Sequence, residues 1–448
     1  MDYQLLGAVF LGIALLLFLI LRLKLQAFLA LLIVSIFVGM LGGLAPSVIL
    51  ESVKNGMGGT LGFVATVVGL GALFGAVLEH SGGAQQLANY LLTKFGEKNA
   101  PWSIMLTGFL VAIPVFFDVA FIILIPLMYA LQRRTGKSLL LYALPLLAGL
   151  AITHAFIPPT PGPIAVADIL NADLGWVILF GFIVGFPAAV ISGPLFARRL
   201  SRKLFIPVPF DVNEPKEEVD NPPAVGLILG IIFLPIVLIV GNTLFNSPLA
   251  AGWDLSPNVL YAVDLLGHPF TALIIANLLA WYVLGVRRNT SKEKLLDIST
   301  KAMYPAGVII LLTGAGGAFK QILIDTGAGT MIANALSSDY FPPVIFGFII
   351  AAIVRIMQGS STVAMITAAG ITAPILVQND YSDIQRALLV IAIAAGASIF
   401  SHVNDSGFWL VKQYLGLTEK QTFRSWSVLT SLIAFTGLII STVLWYLF

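Results

Sequence analysis

The second half of this sequence repeats the first half, and the repeat constrains the fold more than any other feature. Shifting the numbering by 245 residues brings eight identities into register, at Gly69/Gly314, Gly71/Gly316, Phe74/Phe319, Leu78/Leu323, Gly82/Gly327, Ala88/Ala333, Asn89/Asn334 and Leu91/Leu336. Self-similarity at a fixed spacing indicates that one structural unit occurs twice. The sequence therefore predicts two related halves joined by a connecting segment.

The repeated unit is built mostly from apolar residues. Of the 448 residues, 58% are hydrophobic and 10% are charged, whereas soluble domains carry roughly 25% charged residues. Apolar runs as long as residues 5–21, which we interpret as an uncleaved first span, predict an all-α polytopic membrane protein. The chain has no cysteine and a net charge of only +2, so it predicts no metal site, no cofactor and no nucleic-acid partner.

Lysine and arginine residues are concentrated in a few loops, and these loops predict the orientation. They are Arg22/Lys24, Lys94/Lys98, Arg133/Arg134/Lys137, Arg198/Arg199/Arg202/Lys203, Arg287/Arg288/Lys292/Lys294 and Lys412/Lys420/Arg424. The positive-inside rule places these loops in the cytoplasm and both chain termini outside. The polar, proline-rich segment 201–223 is then a cytoplasmic linker with little fixed structure.

Two apolar segments are too short on either side of a central interruption to cross the membrane twice. In the segment at about 101–131, each half has about 15 residues, or about 22 Å of helix, against a hydrocarbon core of about 30 Å. We therefore expect a re-entrant hairpin that enters from the cytoplasm, with Pro114 and Asp118 at its tip. Its counterpart at about 341–377, interrupted by the sequence QGSS and flanked by Asp339 and Asp380, enters from outside.

With two hairpins, ten full crossings remain, and the repeat becomes inverted. The span 61–79 runs inward and its counterpart 303–323 runs outward. The predicted parts are scaffold spans (1–60), first inverted repeat (61–200), linker (201–223), scaffold spans and loops (224–301), and second inverted repeat with the last span (302–448). The loop 246–267 is predicted to lie outside.

Each hairpin is followed by a long apolar stretch with a break near its middle. The stretch at about 139–173 is broken by HAFIPPTPGP, and the stretch at about 384–416 by SHVNDSGFW. Proline and glycine stop helices and leave backbone groups unpaired, which is tolerated at membrane depth only inside protein or beside a wet cavity. Two tips and two broken helices should converge near the midplane, where helix N-termini favour an anionic, carboxylate-bearing substrate. Such inverted units are typical of secondary transporters.

A few polar residues near these breaks are candidates for the site. Asp118 is flanked by Phe116, Phe117 and Phe121, whose apolar rings favour the neutral carboxyl group, and we interpret it as the proton-coupling residue. Arg355 is a candidate ligand for a substrate carboxylate because its planar fork matches that group. Lys320 could act in the same way, or either cation could form a structural ion pair with one of the buried acids, Asp325, Asp405 or Glu79.

The remaining candidates offer neutral or acidic groups for substrate binding. His154, His402, Asn404 and Asp405 lie at the helix breaks, and hydroxyl groups come from Thr160, Ser360, Ser361 and Thr362. Serine and threonine in membranes also bond to their own helix, so a purely structural role is the alternative for the hydroxyl groups.

Several motifs along the whole chain closely resemble the bacterial gluconate permease family. They are GGTLG (58–62), HSGGAQ (80–85), HAFIPPTPGP (154–163), GGAFKQ (316–321), FSHVNDSGFW (400–409) and SWS (425–427). The resemblance implies a homodimer in the bacterial plasma (inner) membrane that takes up gluconate or related sugar acids with protons. It also implies the architecture of the ion-transporter superfamily. Enteric members of the family carry Glu where Asp118 stands and His where Thr160 stands.

The sequence therefore predicts a proton-coupled symporter for gluconate or a related sugar acid, working by alternating access. One alternative is a D-serine or dicarboxylate carrier coupled to protons or sodium, because carbonyl groups at a helix break also suit Na⁺. A distant alternative is an intramembrane hydrolase using His154, His402 and Asp405. The sequence contains neither of the usual hydrolase motifs, HExxH and GxSxG, so we expect no enzyme.

Overall fold

The computed structural model describes residues 3–209, 222–247, 250, 256–328, 342–377, 380–403 and 405–448. Within these ranges the chain forms helices and no β-strand. Most of the predicted linker, along with Asp339 and Asn404, lies outside the described residues.

The helices of the first half occur in an order that the second half repeats. The first half has Tyr3–Leu21, Ala27–Leu41, Pro46–His80, Gly83–Phe95, Ala100–Val111, Phe117–Thr135, Leu140–Phe156, Pro161–Ile169 and Leu174–Val190, the last continuing through a π-helical turn, Ile191–Leu195, into Phe196–Ser201. The second half has Val225–Phe245, Pro257–Gly267, Pro269–Ala280 with its extension to Arg288, Lys292–Asp325, Pro343–Gln358, Ser361–Val377, Asp383–Ser398, Ser406–Leu415, Glu419–Thr422 and Val428–Trp445.

Seven helices in the described part of the chain are long and apolar enough to cross a membrane. They are Pro46–His80, Leu140–Ile169, Leu174–Ser201, Val225–Phe245, Pro269–Arg288, Lys292–Asp325 and Glu419–Trp445. The shorter apolar helices include Ala27–Leu41 and both helices of the second predicted hairpin. The chain is thus an all-helical, multi-pass membrane protein. The count of ten crossings stays a prediction.

Two long helices, Pro46–His80 and Lys292–Asp325, cross at the centre of the molecule. The ideal Cβ position at Gly56 lies 2.5 Å from the Gly317 carbonyl oxygen, so no side chain fits there. Ser52 donates a hydrogen bond of 2.6 Å to Asp325 near one end of the contact, and Gly69 faces Met303 near the other. Residue numbers rise along one helix as they fall along the other, so these counterpart helices are antiparallel. An inverted repeat requires this, although the inversion across the membrane stays a prediction.

Both long helices begin earlier than the sequence patterns suggested. The predicted span 61–79 lies inside Pro46–His80, and the predicted span 303–323 lies inside Lys292–Asp325. Pro46, at the first helical position, and Ser291, whose hydroxyl caps the amide of Lys294, provide the start signals. The predicted boundaries at 60/61 and 301/302 therefore fall within continuous helices. The predicted outer loop 246–267 likewise contains a helix, Pro257–Gly267.

Each predicted hairpin is a pair of helices packed on the broken helix that follows it. In the first pair, Thr153 bonds the carbonyl of Phe109 at 2.8 Å, while Tyr142 bonds Thr135 at 2.9 Å. These contacts make the first helix of the pair parallel to Leu140–Phe156 and the second antiparallel to it. The chain therefore reverses at residues 112–116, called here the first tip. The turn at Gly359 and Ser360 is the second tip.

Candidate functional site

Both tips and both helix breaks face one cavity, called here the central cavity. Its volume is about 490 Å³. Its walls are Phe116, Phe117 and Asp118 from the first tip; Ala151, His154 and Ala155 from the first broken helix; Arg355 and Gln358 to Thr362 from the second tip; Ser398 and Asp405 to Gly407 from the second broken helix; and Trp426, Thr430 and Ile433 from the last helix. The convergence predicted from the repeat is therefore present for most of the site.

The first tip places Asp118 at the start of a helix. Phe117–Thr135 begins one residue earlier, so the carboxyl group lies in the first turn, where the helix dipole favours negative charge. Phe117 and Phe121 are four residues apart and stack on one face of the helix, with ring centroids 6.4 Å apart. Asp118 points about 100° away from them. Its side chain is therefore exposed to the cavity, whereas the sequence suggested that phenyl rings would enclose it.

The first break presents His154 to the cavity from the last turn of Leu140–Phe156. The prolines that follow cannot continue the hydrogen-bond ladder, so the helix ends and restarts at Pro161. The His154 ring meets Phe116 edge to face at 6.1 Å. Its Nδ1 atom is buried and has no hydrogen-bond partner among the described residues. A buried polar atom in this condition marks a place where a ligand can bind.

The second tip positions Arg355 one turn before the chain reverses. Gly359 has φ of 88°, a left-handed conformation that favours glycine, and its carbonyl oxygen accepts a hydrogen bond from Arg355 Nη1. Nη2 donates to the Asp405 carboxylate at 2.5 Å. Arg355 is only 6% exposed, yet its Nε–H group has no partner within the described part of the chain.

The second break is organised around Asp405, the N-cap of Ser406–Leu415. Its Oδ1 atom accepts a hydrogen bond of 3.0 Å from the Gly407 amide. Its Oδ2 atom accepts from Arg355 and from the Ser401 hydroxyl group. Of the two pairings suggested for Arg355, the structure therefore contains the ion pair with Asp405.

The electrostatics of the central cavity combine three helix N-termini with an excess of one acid. Phe117–Thr135, Ser361–Val377 and Ser406–Leu415 all begin at its wall, and their free amide groups favour an anion. Its charged lining residues in the described chain are Asp118, Arg355 and Asp405. Arg355 and Asp405 balance each other. Asp118, which interacts electrostatically with Asp405, is left as the unbalanced acid.

Other candidates from the sequence lie away from the central cavity. Thr160 is buried, and its hydroxyl group donates to the Ile157 carbonyl at 2.7 Å. His402 Nε2 lies 2.7 Å from the carbonyl oxygen of Ile356 and so sits at the end of a hairpin helix. Asn404 falls outside the described residues. Ser360, Ser361 and Thr362 do line the cavity.

Lys320 interacts electrostatically with an acid that the sequence patterns did not suggest. Its neighbour is Asp168, in Pro161–Ile169, which is also hydrogen bonded to Thr60. The three acids suggested from the sequence are placed differently: Asp325 accepts hydrogen bonds from Ser52 and Gln321, and Asp405 is paired with Arg355. The group formed by Asp168 and Lys320 lies outside the lining of the central cavity.

Trp426 and Ser401 were not among the predicted site residues. Trp426 lines the central cavity and donates from Nε1 to Ser401 Oγ at 2.6 Å. The motif SWS was visible in the sequence, but nothing in its pattern pairs it with a break more than twenty residues earlier.

A polar cavity walled by interrupted helices, within a chain that has seven membrane-length helices, defines a membrane transport protein. Comparison with sequence families gives the particular group. The sequence model described as GntP family permease matches residues 4–448, and the chain belongs to this family. It is a permease rather than an enzyme, so the hydrolase alternative is set aside.

Relatives of known function cover nearly the whole chain. The sequence is 40% identical over 433 residues to the low-affinity gluconate transporter of Escherichia coli K12, covering 96% of both chains. It is 39% identical over 436 residues to the gluconate permease of Bacillus subtilis, again covering 96% of both chains. It is 36% identical over 428 residues to the L-idonate transporter of the Gnt-II system of Escherichia coli K12, with the same coverage.

Two solved transporter structures share the fold. One is the YdaH transporter of Alcanivorax borkumensis, with a TM-score of 0.62, 16% identity, and coverage of 90% of this chain and 89% of that one. The other is MtrF of Neisseria gonorrhoeae, from a class of antimetabolite efflux pumps, with a TM-score of 0.66, 14% identity, and coverage of 93% and 94%. At these identities the likeness concerns the fold alone.

Proposed function

We propose that this permease takes up gluconate or a related sugar acid together with protons, by alternating access at the central cavity. The observation that carries the proposal is the pair of buried, unpartnered polar atoms, Arg355 Nε and His154 Nδ1, on opposite parts of one cavity wall. Buried polar groups are stable when a ligand completes their hydrogen bonds. A volume of about 490 Å³ falls within the usual range for small-molecule sites.

In this proposal the substrate carboxylate binds between Arg355 Nε and the N-terminus of Ser361–Val377. Guanidinium N–H groups and free helix amides are both donors to a carboxylate. The sugar-acid hydroxyl groups then reach His154 and the hydroxyl groups of Ser360, Ser361 and Thr362. This use of several neutral polar groups favours a polyhydroxylated monocarboxylate. The names of the relatives point in the same direction.

The balance of charge supports proton coupling at Asp118. With His154 neutral, the lining residues of the central cavity sum to one negative charge. A monocarboxylate would add a second charge to a poorly solvated site, and one proton on Asp118 offsets it. The loaded and empty forms then carry the same charge, which allows both to change conformation. We place the tips and breaks on the moving unit and the two long helices on the static part.

The cellular setting is proposed on weaker grounds. The positive-inside rule supports a plasma-membrane carrier with both termini outside the cytoplasm. The bacterial sources of the relatives support a bacterial inner membrane. A homodimer is proposed from the family resemblance alone.

Counterflow of labelled gluconate in proteoliposomes tests the proposed function. Vesicles preloaded with unlabelled gluconate should accumulate label transiently, and an imposed inward proton gradient should drive uphill uptake without sodium. L-Idonate should compete, whereas D-serine and a dicarboxylate should not. Competition by D-serine or a dicarboxylate alone, or dependence on sodium, would select the corresponding alternative. Absence of exchange with every anion of the panel would contradict the proposal.

A further inference from the structure

The last helix reaches the central cavity through a short hydrogen-bond chain. Trp426 Nε1 donates to Ser401 Oγ at 2.6 Å. The Ser401 hydroxyl group donates in turn to Asp405 Oδ2. The indole N–H group can only donate, so Ser401 must use its oxygen as the acceptor and direct its single proton elsewhere. The direction of the chain is therefore fixed, and it ends on the carboxylate.

Ser401 is also held on its backbone by the same helix. Its amide donates to Thr430 Oγ1 at 3.0 Å, and its carbonyl oxygen accepts from the Ser427 hydroxyl group. These partners belong to a π-helical turn, Phe423–Ser427, and to the start of Val428–Trp445. Wide turns of this kind within α-helices are frequent at functional sites. Here the turn brings Trp426 and Ser427 to the break together.

Trp426 also contacts the first tip, on which the second acid is placed. Phe117 stacks on the indole ring with centroids 5.7 Å apart and an interplanar angle of 29°. Asp118 is the next residue, and both acids line the central cavity. Trp426 thus lies between the tip that carries Asp118 and the hydrogen bonds that hold Asp405. It is only 4% exposed, so it is a fixed part of the wall.

We propose that Trp426 is a positioning residue that acts through Ser401 to keep Asp405 ionised as the permanent partner of Arg355, leaving Asp118 as the acid that takes up the transported proton. The inference rests on the proposed function and deepens it. Asp405 accepts hydrogen bonds from Arg355, Ser401 and the Gly407 amide, and three such bonds stabilise a carboxylate.

The two acids differ in this respect although they share one cavity. Asp118 lies in the first turn of its helix and opens on the cavity, whereas Asp405 is enclosed by its donors. The other titratable or charged groups facing Asp405 are Arg355 from the second hairpin and His154 from the first broken helix. Arg424, in the same turn as Trp426, is exposed. The hydrogen bonds of Ser401 are therefore the feature that separates the two acids.

Replacing Trp426 by Phe tests this role while keeping a ring against Phe117. The variant loses the donor that orients Ser401, so Asp405 begins to take up protons together with Asp118. Affinity is measured from pH 5 to pH 8 by counterflow without a proton gradient, using gluconate or whichever anion of the panel the wild type exchanges fastest. The slope of log affinity against pH should rise from about one proton to about two. Ser401→Ala should give the same slope, and the double variant no further increase.

Trp409→Phe is the matched control, because Trp409 Nε1 donates at 2.8 Å to the Val403 carbonyl oxygen outside the central cavity. Its slope should equal that of the wild type. Thermal unfolding of each variant in detergent separates changed proton binding from loss of folding, and Ser401→Ala carries the test if Trp426→Phe fails to fold. A wild-type slope in Ser401→Ala, or an equal rise in Trp409→Phe, would overturn the inference. Failure of the wild type to exchange any anion would instead contradict the proposed function.

Discussion

Arg355 can offer a ligand only one of its donors. Nη1 is bound to Gly359 and Nη2 to Asp405, which leaves Nε. Because Asp405 already balances the guanidinium charge, an incoming carboxylate gains a directed hydrogen bond rather than the full attraction of a free cation. Such a site selects ligands that bring further hydrogen-bonding groups, and it disfavours a second carboxylate.

Asp118→Asn should separate exchange from proton-driven accumulation. The amide resembles the protonated carboxyl group in shape and charge, so counterflow of gluconate should remain within about threefold of the wild type, or about 0.7 kcal/mol. Uphill uptake driven by a pH gradient should be lost. Asp383→Asn is the control, since Asp383 also lies in the first turn of its helix but is exposed. Accumulation that persists in Asp118→Asn would exclude this residue as the proton carrier.

At the level of helices, the two breaks are equivalent in position but different in chemistry. Thr160 and Asp405 are related by the shift of 245 residues, and each is the N-cap of the half-helix that follows. Thr160 uses its hydroxyl group within its own turn. Asp405 binds residues from two other elements. The copies therefore share a backbone design, and only the second copy carries a charge at the cap.

Lys320→Met should destabilise the packing between Lys292–Asp325 and Pro161–Ile169. The change leaves Asp168 without its cationic neighbour in a largely buried position, and we expect a loss of about 1–3 kcal/mol in the free energy of unfolding. Lys301→Met breaks an exposed ion pair with Asp297 on the same helix and should change stability by less than about 0.5 kcal/mol. Thermal unfolding in detergent measures both. Adding Asp168→Asn to Lys320→Met should recover most of the loss; no recovery would contradict the pairing.

Sequence patterns located the breaks and tips because proline, glycine and N-cap residues act on their own turn. They did not locate the starts of the long helices, since amphipathic and exposed turns extend beyond the apolar run. They also could not assign the neighbour of Lys320 or the contact between Trp426 and Ser401. Those pairings depend on which faces of distant helices meet, and that is decided by packing of the whole chain rather than by local residue order.

For the whole molecule, the orientation in the membrane is the main prediction still to be tested. Because the chain has no cysteine, single cysteines can report the side on which a residue lies. Phe205, which is 59% exposed, follows the basic segment predicted to be cytoplasmic, and Asn258 lies in the exposed segment predicted to be outside. An impermeant maleimide should label Asn258→Cys but not Phe205→Cys in intact cells, and both after permeabilisation. The reverse pattern would overturn the orientation and the proton-uptake direction derived from it.

The glycine crossing of the two long helices also links the carrier to the thickness of its bilayer. Pro46–His80 has 35 residues and Lys292–Asp325 has 34, so each is about 50 Å long at 1.5 Å per residue, well beyond a hydrocarbon core of about 30 Å. Such helices meet the membrane by tilting or by extending into water. Gly56 and Gly317 leave no room for the helices to slide past each other. A thinner or thicker bilayer therefore changes the tilt of both halves together.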